Sequence, residues 1–228
     1  MTFTTSSLIR WTGLAAAIGG AIFAGIQPIH PADVLASVST PEWAIIMPIK
    51  LIMCFMLLAG ITGLYARQAD RAGWLGLAGA ALLLMTWVLQ TAFIFLEAFV
   101  LPVLTTTAPA FIESVLGVVS GAPLTADVGL LPVLFGVVGV GYMLGGLLFG
   151  IATVRAGVLP RWPAILLAAA ATLTPLAALL PHAVQRLAGI PVGVAFVWLG
   201  LALWAGYRAT AAATRDGGAP ALGVGATR

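Results

Sequence analysis

Lys50 and Glu97 are charged residues set inside long apolar runs, and any chemistry this chain does would start from them. An ionised side chain at the centre of a membrane helix costs about 2.5–3.5 kcal/mol on insertion scales, and less towards an interface. Such groups persist where they pair with one another, bind a ligand or line a pathway. Lys50 lies seven residues into the run that begins at Trp43. At a rise of ~1.5 Å per residue, that is roughly 10 Å below the end of the helix. Glu97 lies towards the far end of the next run, at a similar depth if that helix continues through Val103 and Leu104. Consecutive helices joined by a short turn are antiparallel, so a Lys50–Glu97 ion pair is expected.

Further polar residues fall near the same level. Gln90 is seven residues before Glu97 and Thr86 eleven before, a spacing that places all three on one stripe of a helix. Gln27 and His30 close the first apolar run, and His182 and Arg186 follow the fifth. The expectation is an outward-facing polar pocket around Lys50 and Glu97, with Gln90, Gln27, His30 and His182 on its wall. It would bind or pass a small solute or ion. Pro48 and Pro175, each inside a run, free backbone carbonyls in the same region.

Each of these residues also has a purely structural reading. Lys50 can snorkel along its own stem. Glu97 can mark a helix end, and the histidines and Arg186 can sit at an interface. Thr86, Thr172 and Thr174 can bond back to their own helices. A non-catalytic accessory or structural membrane protein is therefore the alternative function. A second alternative is a haem or metal protein using His30 and His182 as axial ligands, although neither histidine belongs to a spaced ligand motif. An enzyme has the least support. No serine, cysteine or aspartate stands beside a credible base, and a lipid-modifying pair of His182 and Glu97 has nothing else to call for it. No metal or cofactor motif is present, and Cys54, the one cysteine, reads as a small buried hydrophobe.

The elements that must hold these residues follow from composition. Of 228 residues, 61% are hydrophobic and 7% charged, against roughly 25% charged in a soluble domain. The mean hydropathy is +1.12. A water-soluble fold with this surface would aggregate, whereas a bilayer accepts it, because helices satisfy their own backbone and show apolar side chains to lipid. The fold class is an all-α membrane protein, a bundle of six transmembrane helices. Six runs approach the ~20 residues that span a bilayer: about 11–27, 43–65, 74–99, 130–153, 163–180 and 191–207. They form one domain over residues 1–208, and residues 209–228 read as a disordered cytoplasmic tail. The first run is longer than a signal-peptide core and is read as an uncleaved helix.

Orientation comes from the arginines. Arg10, Arg67, Arg71, Arg155, Arg161, Arg208, Arg215 and Arg228 all fall on one side of this topology, and on the other Arg186 is the lone fixed positive charge. The positive-inside rule places both termini in the cytoplasm and the chain in the cell inner (plasma) membrane. Trp11, Trp74, Trp162, Trp204, Tyr65 and Tyr207 lie at the predicted inner interface and agree. The net charge of +3 is spread one or two residues per loop, which gives no reason to expect nucleic acid. The expected partner is the lipid bilayer. Gly141, Gly145, Gly146 and Gly150 form small-xxx-small pairs on the fourth helix, suited to packing inside the bundle or to a homodimer seam. The 110–116 segment reads as a loop resting on the bundle or as a short interfacial helix.

The turn Leu64-Tyr-Ala-Arg-Gln-Ala-Asp-Arg-Ala-Gly-Trp-Leu-Gly76 resembles the inner turn of a family of uncharacterised multi-span bacterial membrane proteins. Glu97-Ala-Phe-Val-Leu-Pro102 and Leu180-Pro-His182 are similar to further segments of that family. The resemblance implies the membrane class and transfers no site residue.

Overall fold

The computed structural model describes residues 5–177 and 182–216, with the side chains at 5, 6, 175, 182, 183 and 207–216 outside that description. Its helices are α1 (Thr5–Ile26), α2 (Leu35–Val38), α3 (Pro41–Phe95), α4 (Pro109–Ser120), α5 (Leu131–Ala156), α6 (Arg161–Ala177), α7 (His182–Gln185) and α8 (Ile190–Asp216). Short 3₁₀ turns at Gln27–Ile29, Leu101–Leu104 and Arg186–Gly189, and a π turn at Leu96–Val100, complete the path. Among the described residues there is no strand.

Among the described residues four helical stretches are long and apolar enough to cross a membrane: Ser7–Ile29, Pro41–Leu104, Leu131–Ala156 and Arg186–Gly206. Their outer faces carry exposed Ile52, Phe55, Val88 and Val140, side chains suited to lipid tails. The second stretch is 64 residues long, but it is not one rod. Gly73 adopts φ 57°, ψ −163° inside α3, a region that essentially only glycine enters. The chain doubles back there, because Trp43 and Lys50 near the start of α3 both reach Glu97 beyond its end. Leu57, Ile61 and Leu64 of the first limb share one core with Leu83, Trp87 and Ile94 of the second. α6, at 17 residues, joins the same core through Leu167 and Ala171.

Close glycine contacts set the other helix pairs. A Cβ at Gly20 would come within 2.5 Å of the Gly193 carbonyl oxygen, and one at Gly13 within 2.9 Å of that of Gly200. α1 and α8 therefore run antiparallel with their backbones touching. The four α5 glycines are used inside the chain. Gly141 and Gly145 lie against Thr86 and Leu83 of α3, and Gly146 and Gly150 lie against Ala171 and Ala164 of α6. The face read as a candidate dimer seam is thus occupied by the protein's own helices.

Several bounds differ from the sequence reading. The first limb of α3 does not stop near Tyr65 but runs helically to the Gly73 break. Arg67, Asp70 and Arg71 are exposed there on helix rather than on a loop, because charge ends a membrane run without ending a helix. The second limb leaves α geometry at Phe95, ahead of the expected 99. The 110–116 segment belongs to the 12-residue helix α4. α8 continues to Asp216, into the segment read as a disordered tail, and its Ala-rich 209–213 stretch is a good helix former. Residues 178–181, at the expected end of the fifth span, and 217–228 of the tail lie outside the described residues.

Contacts between Gly63 and Thr12 and between Gly76 and Ala152 gather the start of α1, the Gly73 break and the end of α5 at one end of the bundle. The opposite end holds His30, α2, Glu97 and α4. There Trp43, Met47, Leu101, Ile112 and Leu116 form a second core that caps the helices.

Candidate functional site

The site begins with a departure from regular helix. In the π turn the Leu101 N–H donates to the Leu96 carbonyl. An α-helix would have used the Glu97 carbonyl instead. The freed Glu97 oxygen accepts a hydrogen bond from Trp43 Nε1 at 2.9 Å, which ties the two limbs of α3 together at this level. Single π turns inside helices are common at functional sites. Here the turn holds the Glu97 side chain towards Lys50.

The expected ion pair is present. Lys50 Nζ lies 3.0 Å from Glu97 Oε2, with the two side chains 12% and 5% exposed. Lys50 also donates to His30 Nε2 at 2.9 Å and to Met47 Sδ at 3.5 Å. An ammonium has hydrogens only to give, so Nε2 is the unprotonated ring nitrogen and Nδ1 carries the hydrogen. Nδ1–H then donates to the Pro31 carbonyl at 2.6 Å. His30 follows the first membrane stretch, and its imidazole is held neutral. Burial first, and then the Lys50 and Arg186 charges, push its pKa down to about 3. Both ring nitrogens are in use, so His30 can offer neither to a metal or haem while these bonds stand.

A second pair joins the two connections at this end, Arg186 with Asp33. Asp33 is buried, and Arg186 is 19% exposed at its side chain. In sequence Arg186 stands with His182 after the fifth run, with an interface anchor as its structural alternative, and Asp33 has no assigned role. The signal was that Arg186 is the odd positive charge on its side of the topology.

Both pairs line one cavity of about 520 Å³. Of the predicted residues, Lys50, Glu97, Gln90, Gln27 and His30 all face it, together with Thr86. α7 begins at His182, whose side chain lies outside the described residues. Gln27 donates to the Phe23 carbonyl of its own helix at 2.9 Å. Thr172 and Thr174 bond back to Ala168 and Ala170 as expected of threonines inside helices. The apolar walls come from Phe23, Ile94, Phe135, Val138 and Tyr142, and Gln185 and Gly189 close the cavity beside Arg186. Among the described residues no group of three or more His, Cys, Asp or Glu side chains could hold a metal ion.

No protein-family model, curated protein or solved structure matches the chain. The function must be argued from the site itself.

Proposed function

We propose that this is a multi-pass membrane protein that binds or passes a small solute through the cavity around Lys50 and Glu97. In this reading the two limbs of α3 and α6 count with α1, α5 and α8 as six spans. Both termini lie in the cytoplasm of a bacterial inner membrane, and the His30 end faces outward. Arg10, Arg67, Arg71, Arg155 and Arg161 all belong to the Gly73 end, which supports that orientation.

The observation that carries the proposal is a buried ion pair on the wall of a roomy, largely apolar cavity, rather than in dry packing. Ligand sites are typically clefts of roughly 300–1,000 Å³ with a few convergent polar groups, and intramembrane charges mark function. A second reading, an accessory protein, draws on one specific observation: Lys50 is fully satisfied by protein partners.

Thiol labelling tests the proposal. Cys54 is buried and free, and replacing it by Ala leaves a cysteine-less chain. Gly139 lines the cavity, and a Cβ there meets nothing within 4 Å. A Gly139→Cys chain in intact cells should react with a membrane-impermeant maleimide added outside, and a Val140→Cys control on the lipid-facing side should not. Equal protection of both positions would leave the accessory reading in place.

A further inference from the structure

Besides the uncharged Thr86 and Gln90, two charged groups of the described cavity wall have unused hydrogen-bonding capacity, and it is of opposite sign. Lys50 spends all three ammonium hydrogens on Glu97, His30 and Met47, so it has none left for a ligand anion. Glu97 differs. Its side chain is 5% exposed and its Oε2 is taken by Lys50. Its Oε1 accepts no hydrogen bond from any described residue, and it is not among the buried atoms sealed away from the cavity. A carboxylate oxygen in such surroundings calls for a donor. Arg186 is the complement. Its Nη2 is engaged by Asp33, and its other N–H donors meet no acceptor among the described residues. A guanidinium carries five such donors and matches a carboxylate well.

Charge balance narrows the ligand further. Among the described residues the wall holds two ion pairs and a neutral His30, hence two positive and two negative charges. A ligand with net charge would leave one charge uncompensated in a poorly solvated space, which is costly. A ligand carrying both signs would not. Beyond the charged groups the described wall is mostly apolar, with Phe23, Trp87, Ile94, Phe135 and Val138, and its uncharged polar side chains include Gln27, Thr86 and Gln90.

We infer that the pocket takes a zwitterion with an apolar body, an aminocarboxylate whose ammonium donates to Glu97 Oε1 and whose carboxylate accepts from Arg186. This rests on the solute-pocket reading above. It names the chemistry of the solute and gives Glu97 and Arg186 opposite roles in holding it.

The test uses the full chain in lipid nanodiscs. Binding of radiolabelled L-phenylalanine and L-leucine is measured, with competition against phenylalanine by phenethylamine, 3-phenylpropanoate and N-acetylphenylalanine amide. The expected result is that phenylalanine competes at least ten-fold better than phenethylamine, which lacks the carboxylate, and than 3-phenylpropanoate, which lacks the ammonium. Glu97→Gln should weaken phenylalanine more than 3-phenylpropanoate. Arg186→Gln should weaken it more than phenethylamine. The analogue series on the unaltered chain decides the matter even where a variant does not fold. Equal binding of either singly charged analogue, or best binding of the uncharged amide, would overturn the zwitterion while leaving the pocket. No binding of either amino acid, with Gly139→Cys still labelled from outside, would also overturn it. Loss of that labelling would remove the pocket reading as well.

Discussion

Removing the Lys50–Glu97 charges singly and together should show strong coupling. The pair is separated by 3.0 Å with side chains 12% and 5% exposed. At an effective dielectric of ~20 the attraction at this range is about 5–6 kcal/mol, and desolvation of both groups opposes it. The two single changes should differ. Glu97→Gln leaves the ammonium with His30 Nε2 and Met47 Sδ, so a loss of about 2–3 kcal/mol is expected, below the usual 3–5 kcal/mol for breaking a buried pair. Lys50→Met strands the carboxylate without any described donor, and the full 3–5 kcal/mol applies. With both charges gone nothing is stranded, and the double variant should lose only about 0–2 kcal/mol, because replacing a whole buried pair is often close to neutral. The measure is reversible unfolding in mixed micelles, read by circular dichroism across the four-member cycle. The predicted coupling is about 3–8 kcal/mol. A cycle that closes within about 0.5 kcal/mol, the additivity of independent sites, would show that the two groups do not face each other and would refute the reasoning.

Two further outcomes follow from particular residues. Gly73→Ala should destabilise by about 1–3 kcal/mol through backbone conformation alone, since a Cβ at that position meets nothing within 4 Å; an unchanged unfolding midpoint would mean that the α3 limbs are not joined in this way. The pH dependence should come from His30, whose imidazole stays neutral in the fold with a pKa near 3, against 6.5 in an unfolded chain. Between those values the unfolded chain binds the extra proton, so stability is fully present above about pH 6.5. It falls as pH drops towards 3, by at most about 1.4 kcal/mol per pH unit. His30→Gln should flatten that slope between pH 6.5 and 5, and an unaltered slope would assign it to other groups.

The membrane class was written in the composition. With 7% charged residues, no water-facing surface can be assembled, and this holds for any arrangement of the helices. The level of the site was also legible. Depth along a helix is a count of residues, so Lys50, Glu97, Gln90, Gln27 and His30 could be assigned to one layer before their neighbours were known. What one-dimensional spacing does not contain is azimuth, the direction a side chain faces around its helix, and the path of the connections.

Azimuth and path decided the rest. Asp33 and Arg186 are 153 residues apart, and nothing local in either connection indicates that they meet. The glycines of α1 and α8 touch across a similar separation, whereas the α5 glycines, conspicuous in sequence, turn inward to α3 and α6. The freeing of the Glu97 carbonyl for Trp43 depends on a π turn that shifts one hydrogen bond by a single residue, too small a change for hydrophobic periodicity to register. The sequence alone determined which solvent the chain needs and how deep its charges lie, because both depend on residue type and count. Which of those charges face one another across a cavity was decided only by the tertiary structure, because that depends on how the helices turn and where the chain returns.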